Sequence, residues 1–228
     1  MRALVVVSAA QGKRLVSKGV ADIVADKINR IYVAYGSTNA MILKELGIET
    51  RSYFNGYIAN GTLQANDKKS ELVVINADSE KEFVETINAD DIIIKGANAL
   101  VYENGYYKAA VCVASPNGGT YARVVVRAAC VGARVIIPVS LDKLVPKILN
   151  GKYQQNSFDM VMGIPVALFQ YEYGEVFTEI DAFKTLYNLE AELYTAGSLE
   201  TNDKYFSFVV EGEQKDIENL QKFLEEKE

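Results

Sequence analysis

Three short apolar runs in this chain each end in a turn of small and polar residues. Tyr32-Val33-Ala34-Tyr35 runs into Gly36, Ser37, Thr38 and Asn39. Ile92-Ile93-Ile94 runs into Lys95, Gly96 and Asn98. Val111-Cys112-Val113-Ala114 runs into Ser115, Asn117, Gly118, Gly119 and Thr120. Glycine lets a ligand approach the backbone, bare N–H groups and hydroxyls hold anions, and a lysine adds charge. The chemistry these residues offer together is the cradling of a small anion. Gln11, Gly12 and Lys13 make a fourth candidate, because basic charge in the first turn of a helix opposes the helix dipole unless an anion sits there. Each group also has a plain structural reading. Ser37 or Thr38 would cap a helix, Asn98 would fill a left-handed turn position, Thr120 would cap the helix that follows it, and Lys13 and Lys95 would be solvated cations.

The chain has no histidine. That removes imidazole acid–base catalysis, histidine-activated nucleophiles and histidine-ligated zinc. No acidic spacing of the calcium-loop type is present, and no motif calls for a cofactor or a metal. The stretch 115–120 is not a Walker loop, because no lysine follows its second glycine, and not a dinucleotide fingerprint, because its glycine spacing is wrong.

Such turns need strands and helices to aim them. Leu4–Val7, Arg30–Tyr35, Glu71–Ile75, Asp91–Ile94, Lys108–Ala114 and Arg134–Val139 read as strands. Helices are predicted from about Gly12, over Thr38–Leu46, Glu80–Ile87 and Thr120–Val131. Asn55-Gly56, Asn60-Gly61 and Asn104-Gly105 read as tight turns, the last two as hairpins. Beyond Gly151 the pattern is strand (166–170), helix (178–187), two strands (189–195 and 205–210) and an amphipathic helix (214–227). That order is a split β-α-β-β-α arrangement. The expectation is an α/β protein: a Rossmann-like, mainly parallel sheet with helices on both faces over residues 1–160, plus a small ferredoxin-like α+β part over 161–228. In an open sheet of this kind ligands sit beyond the carboxyl ends of the strands.

The 228 residues carry a net charge of −6, and 49% of them are hydrophobic. An acidic balance without a basic patch argues against nucleic acid. No run approaches the ~18 apolar residues of a membrane span, and no leader segment is recognisable. The expected setting is the cytoplasm, where Cys112 and Cys130 would be reduced and buried.

Taken together, these segments resemble the superfamily of ribose-5-phosphate isomerase A, glucosamine-6-phosphate deaminase, the CoA transferases and the effector domains of deoxyribose-type sugar-operon repressors. Tyr32–Asn39 is similar to its strand and phosphate loop, Asp91–Leu100 to its strand and Gly-Ala-Asp motif, and Arg134–Lys143 to its late strand with a serine–lysine element. The likeness covers residues ~30 to 145. It implies a phosphorylated ligand and adds Lys143 to the candidate ligand contacts. The chain also resembles a group of prokaryotic proteins of uncharacterised function, through Gln11–Leu15, Lys95–Ala99 and Ser115–Thr120. Where the isomerase carries its catalytic aspartate, this chain has Asn98 and then Ala99. An amide cannot abstract a proton, so the resemblance points toward binding more than isomerisation. The expected function is recognition of a small anionic metabolite. The alternatives are an enzyme of the sugar-phosphate isomerase or CoA transferase type, a ligand sensor whose small domain signals to a partner, and a structural subunit of a homo-oligomer with a vestigial pocket.

Overall fold

The computed structural model describes residues 1–26, 29–49, 56–65, 73–197 and 204–226. The predicted turn at Asn55 and the start of the predicted strand at Glu71 lie outside them. Strand β1 (Arg2–Ser8) enters helix α1 (Ala9–Ala25) through a capping box. Ser8 Oγ accepts from Gln11 N, and Gln11 Oε1 accepts from Ser8 N. Strand β2 (Ile31–Val33) precedes α2 (Ser37–Glu45), and Gly47 follows that helix with φ 74°. Strands β3 (Gly56–Ala59) and β4 (Thr62–Ala65) form the hairpin expected at Asn60-Gly61. Then come β5 (Val73–Ile75), α3 (Glu80–Glu85) and β6 (Ile92–Ile94). Strands β7 (Ala99–Glu103) and β8 (Tyr106–Val113) turn at Asn104-Gly105, both at positive φ as a primed turn requires. A π-helical turn, Tyr121–Val126, continues into α4 (Arg127–Val131), which ends on left-handed Gly132. The remaining elements are β9 (Arg134–Pro138), β10 (Ala167–Gln170), β11 (Glu175–Phe177), α5 (Glu179–Tyr187), β12 (Glu190–Gly197), β13 (Tyr205–Glu211) and α6 (Gln214–Glu225).

The elements fall close to their predicted places, but the architecture differs from the expectation. The chain is a mixed α+β protein with mostly antiparallel sheets, not a Rossmann-like, mainly parallel sheet with helices on both faces carrying a ferredoxin-like appendage. Among the described residues one sheet alone is mixed, in the order β11-β9-β6-β2-β5. Its first four strands are parallel, and β5 is antiparallel to β2. The sheets β1-β13-β12, β10-β8-β7 and β3-β4 are antiparallel throughout. Pairings cross residue 160 in three places: β10 joins β8, β11 joins β9, and β13 takes β1 as its neighbour. The strand predicted to open the C-terminal unit, 166–170, therefore lies in another sheet. The N-terminal strand supplies the third strand beside β12 and β13. A short apolar run states that a strand is covered, not which strand it will pair with.

Helix α1 packs between α2 and α5. The apolar spacing of the helix predicts one face of Leu15, Val16, Val20, Ile23 and Val24, and all of these but the half-buried Ile23 are buried. Gly19 is needed there, because a Cβ would stand 2.8 Å from the Phe177 ring. The core runs on through Ile93, Ile94, Ile136, Ile137 and Phe183. In α6, Ile217, Leu220 and Phe223 face inward as predicted. Cys112 is half-buried and Cys130 exposed, so the expectation of two buried thiols fails for Cys130. No helix among the described residues is long and apolar enough to cross a membrane.

Candidate functional site

Four parallel strands bring their carboxyl ends to one edge. From β2 to β11 these ends carry Gly36, Lys95, Ser140 and Glu179. Neighbouring positions are roughly 4.8 Å apart across such a sheet.

At the β2 and β6 end, Ala34 N donates to Ile94 O at 2.9 Å, so the turns at Gly36 and Lys95 leave the sheet side by side. Gly36 is the N-cap residue of α2, with φ 155° and ψ 149°, a conformation only glycine adopts freely, and no side chain caps the helix. Ser37 is exposed and Thr38 half-buried, and neither takes the capping role predicted for it. The Thr38 carbonyl is instead tied to α1, accepting from Ser17 Oγ at 3.1 Å. Asn39 is buried. Its Nδ2 donates to Ala34 O at 2.8 Å, while its Oδ1 has no partner and faces Gly96. A Cβ on Gly96 would stand 3.2 Å from Pro138 O and 3.8 Å from that Oδ1, so glycine keeps the ends of β6 and β9 close. Tyr171 reaches across and donates its hydroxyl to Gly96 O at 2.9 Å.

Lys95 is half-buried and has neither a carboxylate nor another hydrogen-bond partner at its amine among the described residues. Burial without a counter-charge lowers its pKa to about 8. Tyr35, just beyond β2, has its pKa raised by burial and by Glu80, against Arg123, and these two side chains pair with each other. Arg123 is a cation near this edge that sequence reasoning passed over. Its place on the π-helical turn gave no signal.

At the β9 and β11 end the decisive residue is also one the sequence did not single out. Glu179, predicted only as part of a helix, is fully buried. It accepts from Ser140 Oγ at 2.5 Å and from Leu141 N at 2.9 Å. Desolvation raises its pKa to about 7 against these bonds. Gly12 makes room for Glu179, whose Oε1 would lie 2.4 Å from a Cβ at that position. Lys13 and Lys143 both reach Asp142 Oδ2, at 3.5 and 3.2 Å, and Lys204 Nζ lies 3.4 Å from the Asp142 carbonyl. Gln11 is committed to the helix cap and, through Nε2, to Leu224 O.

The third predicted loop lies elsewhere in the fold. Ser115–Thr120 follows β8, a strand of the β10-β8-β7 sheet, so Gly118 does not share a sheet edge with Gly36 and Gly96. Its bonds are internal: Asn117 Oδ1 accepts from Ser115 Oγ at 2.5 Å and from Gly119 N at 3.2 Å. Gly118 and Gly119 have φ 79° and 53°, which explains the pair of glycines as turn geometry. Thr120 is helical and caps nothing. Asn98 is knitted to β8, its Oδ1 accepting from Cys112 N at 2.9 Å. The loop connects to the edge only at second hand, through the Tyr121 ring against Tyr171 at 5.3 Å.

A separate cavity of about 350 Å³ lies between the β3-β4 hairpin and residues 158–166, lined by Ile58, Leu63, Phe158, Met160 and Met162. These walls are apolar and offer an anion nothing. No family model matches the chain, and neither a curated protein nor a solved structure matches it.

Proposed function

We propose that this protein binds a small anionic metabolite, one bearing a phosphate or a carboxylate, at the carboxyl ends of β2 and β6. The setting of this reading is the cytoplasm, with a soluble ligand and no nucleic acid. The observation that carries it is Lys95, a lysine set into the sheet edge with no acceptor for its amine among the described residues. Burying a cation without a partner costs stability, and an incoming anion would offset that cost. Two neighbours support the same reading. The first amides of the nine-residue helix α2 begin one strand away and lack a side-chain cap, and a helix N-terminus attracts negative charge. Asn39 Oδ1 is a buried acceptor without a donor, suited to a hydroxyl on the same ligand.

The test is a thermal-shift screen of phosphorylated sugars, nucleotides, acyl-CoA compounds and small carboxylates, followed by calorimetry on Lys95→Ala and Lys108→Ala. A ligand at 100 times its Kd adds about 2.7 kcal/mol of stability. Lys95→Ala is expected to weaken binding by 2 kcal/mol or more, roughly thirtyfold in Kd. Lys108, already paired with Glu103 at 2.6 Å, is expected to leave Kd unchanged. Equal dissociation constants for wild type and Lys95→Ala would remove Lys95 from the site, and a screen in which nothing shifts the melting temperature would remove the site.

A further inference from the structure

Several other lysines of this chain sit against carboxylates of the protein. Lys108 meets Glu103 at 2.6 Å, Lys184 meets Glu190 at 2.5 Å, and Lys13 and Lys143 share Asp142. Among the described residues Lys95 has no such carboxylate. Glu179, at the end of the strand two places away or about 10 Å, is turned onto Ser140 and Leu141. Lys95 also keeps part of its surface open, so a ligand can reach it. A lysine buried without a counter-ion is the arrangement that yields a neutral, nucleophilic amine.

We propose that Lys95 is a nucleophile that forms an imine with the carbonyl group of the bound metabolite, which makes the ligand a small aldehyde or keto compound carrying a phosphate or carboxylate. This rests on the anion-binding reading above, because the start of α2 would hold the charged group while Lys95 meets the carbonyl. In the first step the Nζ lone pair forms a C–N bond, and the carbonyl π electrons move to oxygen, which takes up a proton. The resulting carbinolamine loses its nitrogen proton and its hydroxyl as water to give C=N. The sum is amine plus carbonyl giving imine plus water, with no oxidant or reductant. The unpaired Asn39 Oδ1 beside Gly96 supplies an acceptor for a hydroxyl in that space. The lowered pKa of Lys95, about 8, leaves far more of the reactive free base near neutrality than an ordinary lysine has.

The experiment is reductive trapping. The protein is incubated with glyoxylate, pyruvate or glyceraldehyde 3-phosphate and sodium cyanoborohydride, and adducts are located by peptide mass mapping. The expected result is one dominant adduct on Lys95, lost in Lys95→Arg, with a labelling rate that rises with pH to a midpoint near 8. Labels spread over Lys13, Lys108 and Lys184 at similar rates, no label on Lys95, or a midpoint at the ordinary lysine value would each overturn the proposal. Lys95→Met serves as a second variant, with circular dichroism as the folding control for both. Inorganic phosphate separates the two readings. If it raises the melting temperature of wild type and Lys95→Arg but nothing is trapped, imine formation falls and anion binding stands. A Lys95-specific adduct without any phosphate-dependent shift keeps the amine chemistry and removes phosphate, leaving carboxylate, as the charged group that the site takes.

Discussion

Glu179 shows how much one side chain can hold in place. Its carboxyl accepts from Ser140 at the end of β9 and from Leu141 beyond it, while its backbone opens α5 and its oxygen occupies the space left by Gly12 in α1. Three elements therefore meet on one buried acid. With its folded pKa raised to about 7 by burial, the sign of its pH effect is fixed. Near pH 4 the group is protonated in both states and costs nothing. As pH rises toward 7 the unfolded chain releases the proton while the folded chain keeps it, so stability falls, and above 7 the loss is complete. The full span corresponds to a cost on the order of 3 kcal/mol. Urea unfolding of wild type and Glu179→Gln from pH 4 to 8 tests this. The variant is expected to lose most of the downward slope, and an unchanged slope would assign it to other groups.

Among the elements, β2 and β6 are only three residues each, yet the proposed site is placed at their ends. What keeps such short strands in register is a polar clasp at their opposite ends. Arg30 Nε and Nη2 hold Asp91 at 2.9 and 2.7 Å, Nη1 holds Glu82 at 2.8 Å, and Nη2 also donates to Thr86 O at 2.8 Å. The guanidinium lies over the Phe83 ring, 5.1 Å from its centroid. Asp91 is buried, so Arg30→Ala leaves an uncompensated charge, and the expected loss is about 3–5 kcal/mol in chemical denaturation. Asp91→Asn should cost less, because it removes the charge along with the ion pair. A loss under about 1 kcal/mol for Arg30→Ala would mean that this clasp acts like an exposed ion pair.

At the scale of the whole molecule, the two ends of the chain are bound together. Strand β1 runs antiparallel to β13 from Arg2 opposite Glu211 to Ser8 opposite Tyr205, and the N-terminal amine donates to Gly212 O at 2.6 Å. Phe206, Phe208 and Val210 of β13 lie in the same core as residues of α1. A fragment of residues 161–228 would thus leave β13 with an open edge, and its Phe208 without α1 nearby. It is expected to show no cooperative thermal transition and to aggregate, whereas the intact chain is expected to unfold in a single transition. A soluble fragment with a sharp transition would show that the C-terminal elements fold without β1.

Read alone, the amino-acid sequence determined what local chemistry determines. The hairpins at Asn60-Gly61 and Asn104-Gly105 follow from residues that tolerate positive φ. The buried stripes of α1 and α6 follow from apolar spacing of 3.6 residues. The small-residue turns after Tyr32–Tyr35 and Ile92–Ile94 mark strand ends on which Gly36 and Lys95 sit. Strand partners were not legible, because pairing is a choice between segments far apart in the chain, made by which apolar faces can be covered together. That choice sent β1 to β13 and β8 to a sheet of its own with β7 and β10. It replaced the expected parallel architecture and carried Ser115–Thr120 away from the edge shared by Gly36 and Lys95. The same holds for charge. Nothing in the sequence says that Lys13 meets Asp142, that Glu179 turns inward, or that Lys95 goes unpaired among the described residues. Those are consequences of tertiary packing, which decides how much water each group keeps and which opposite charge it can reach.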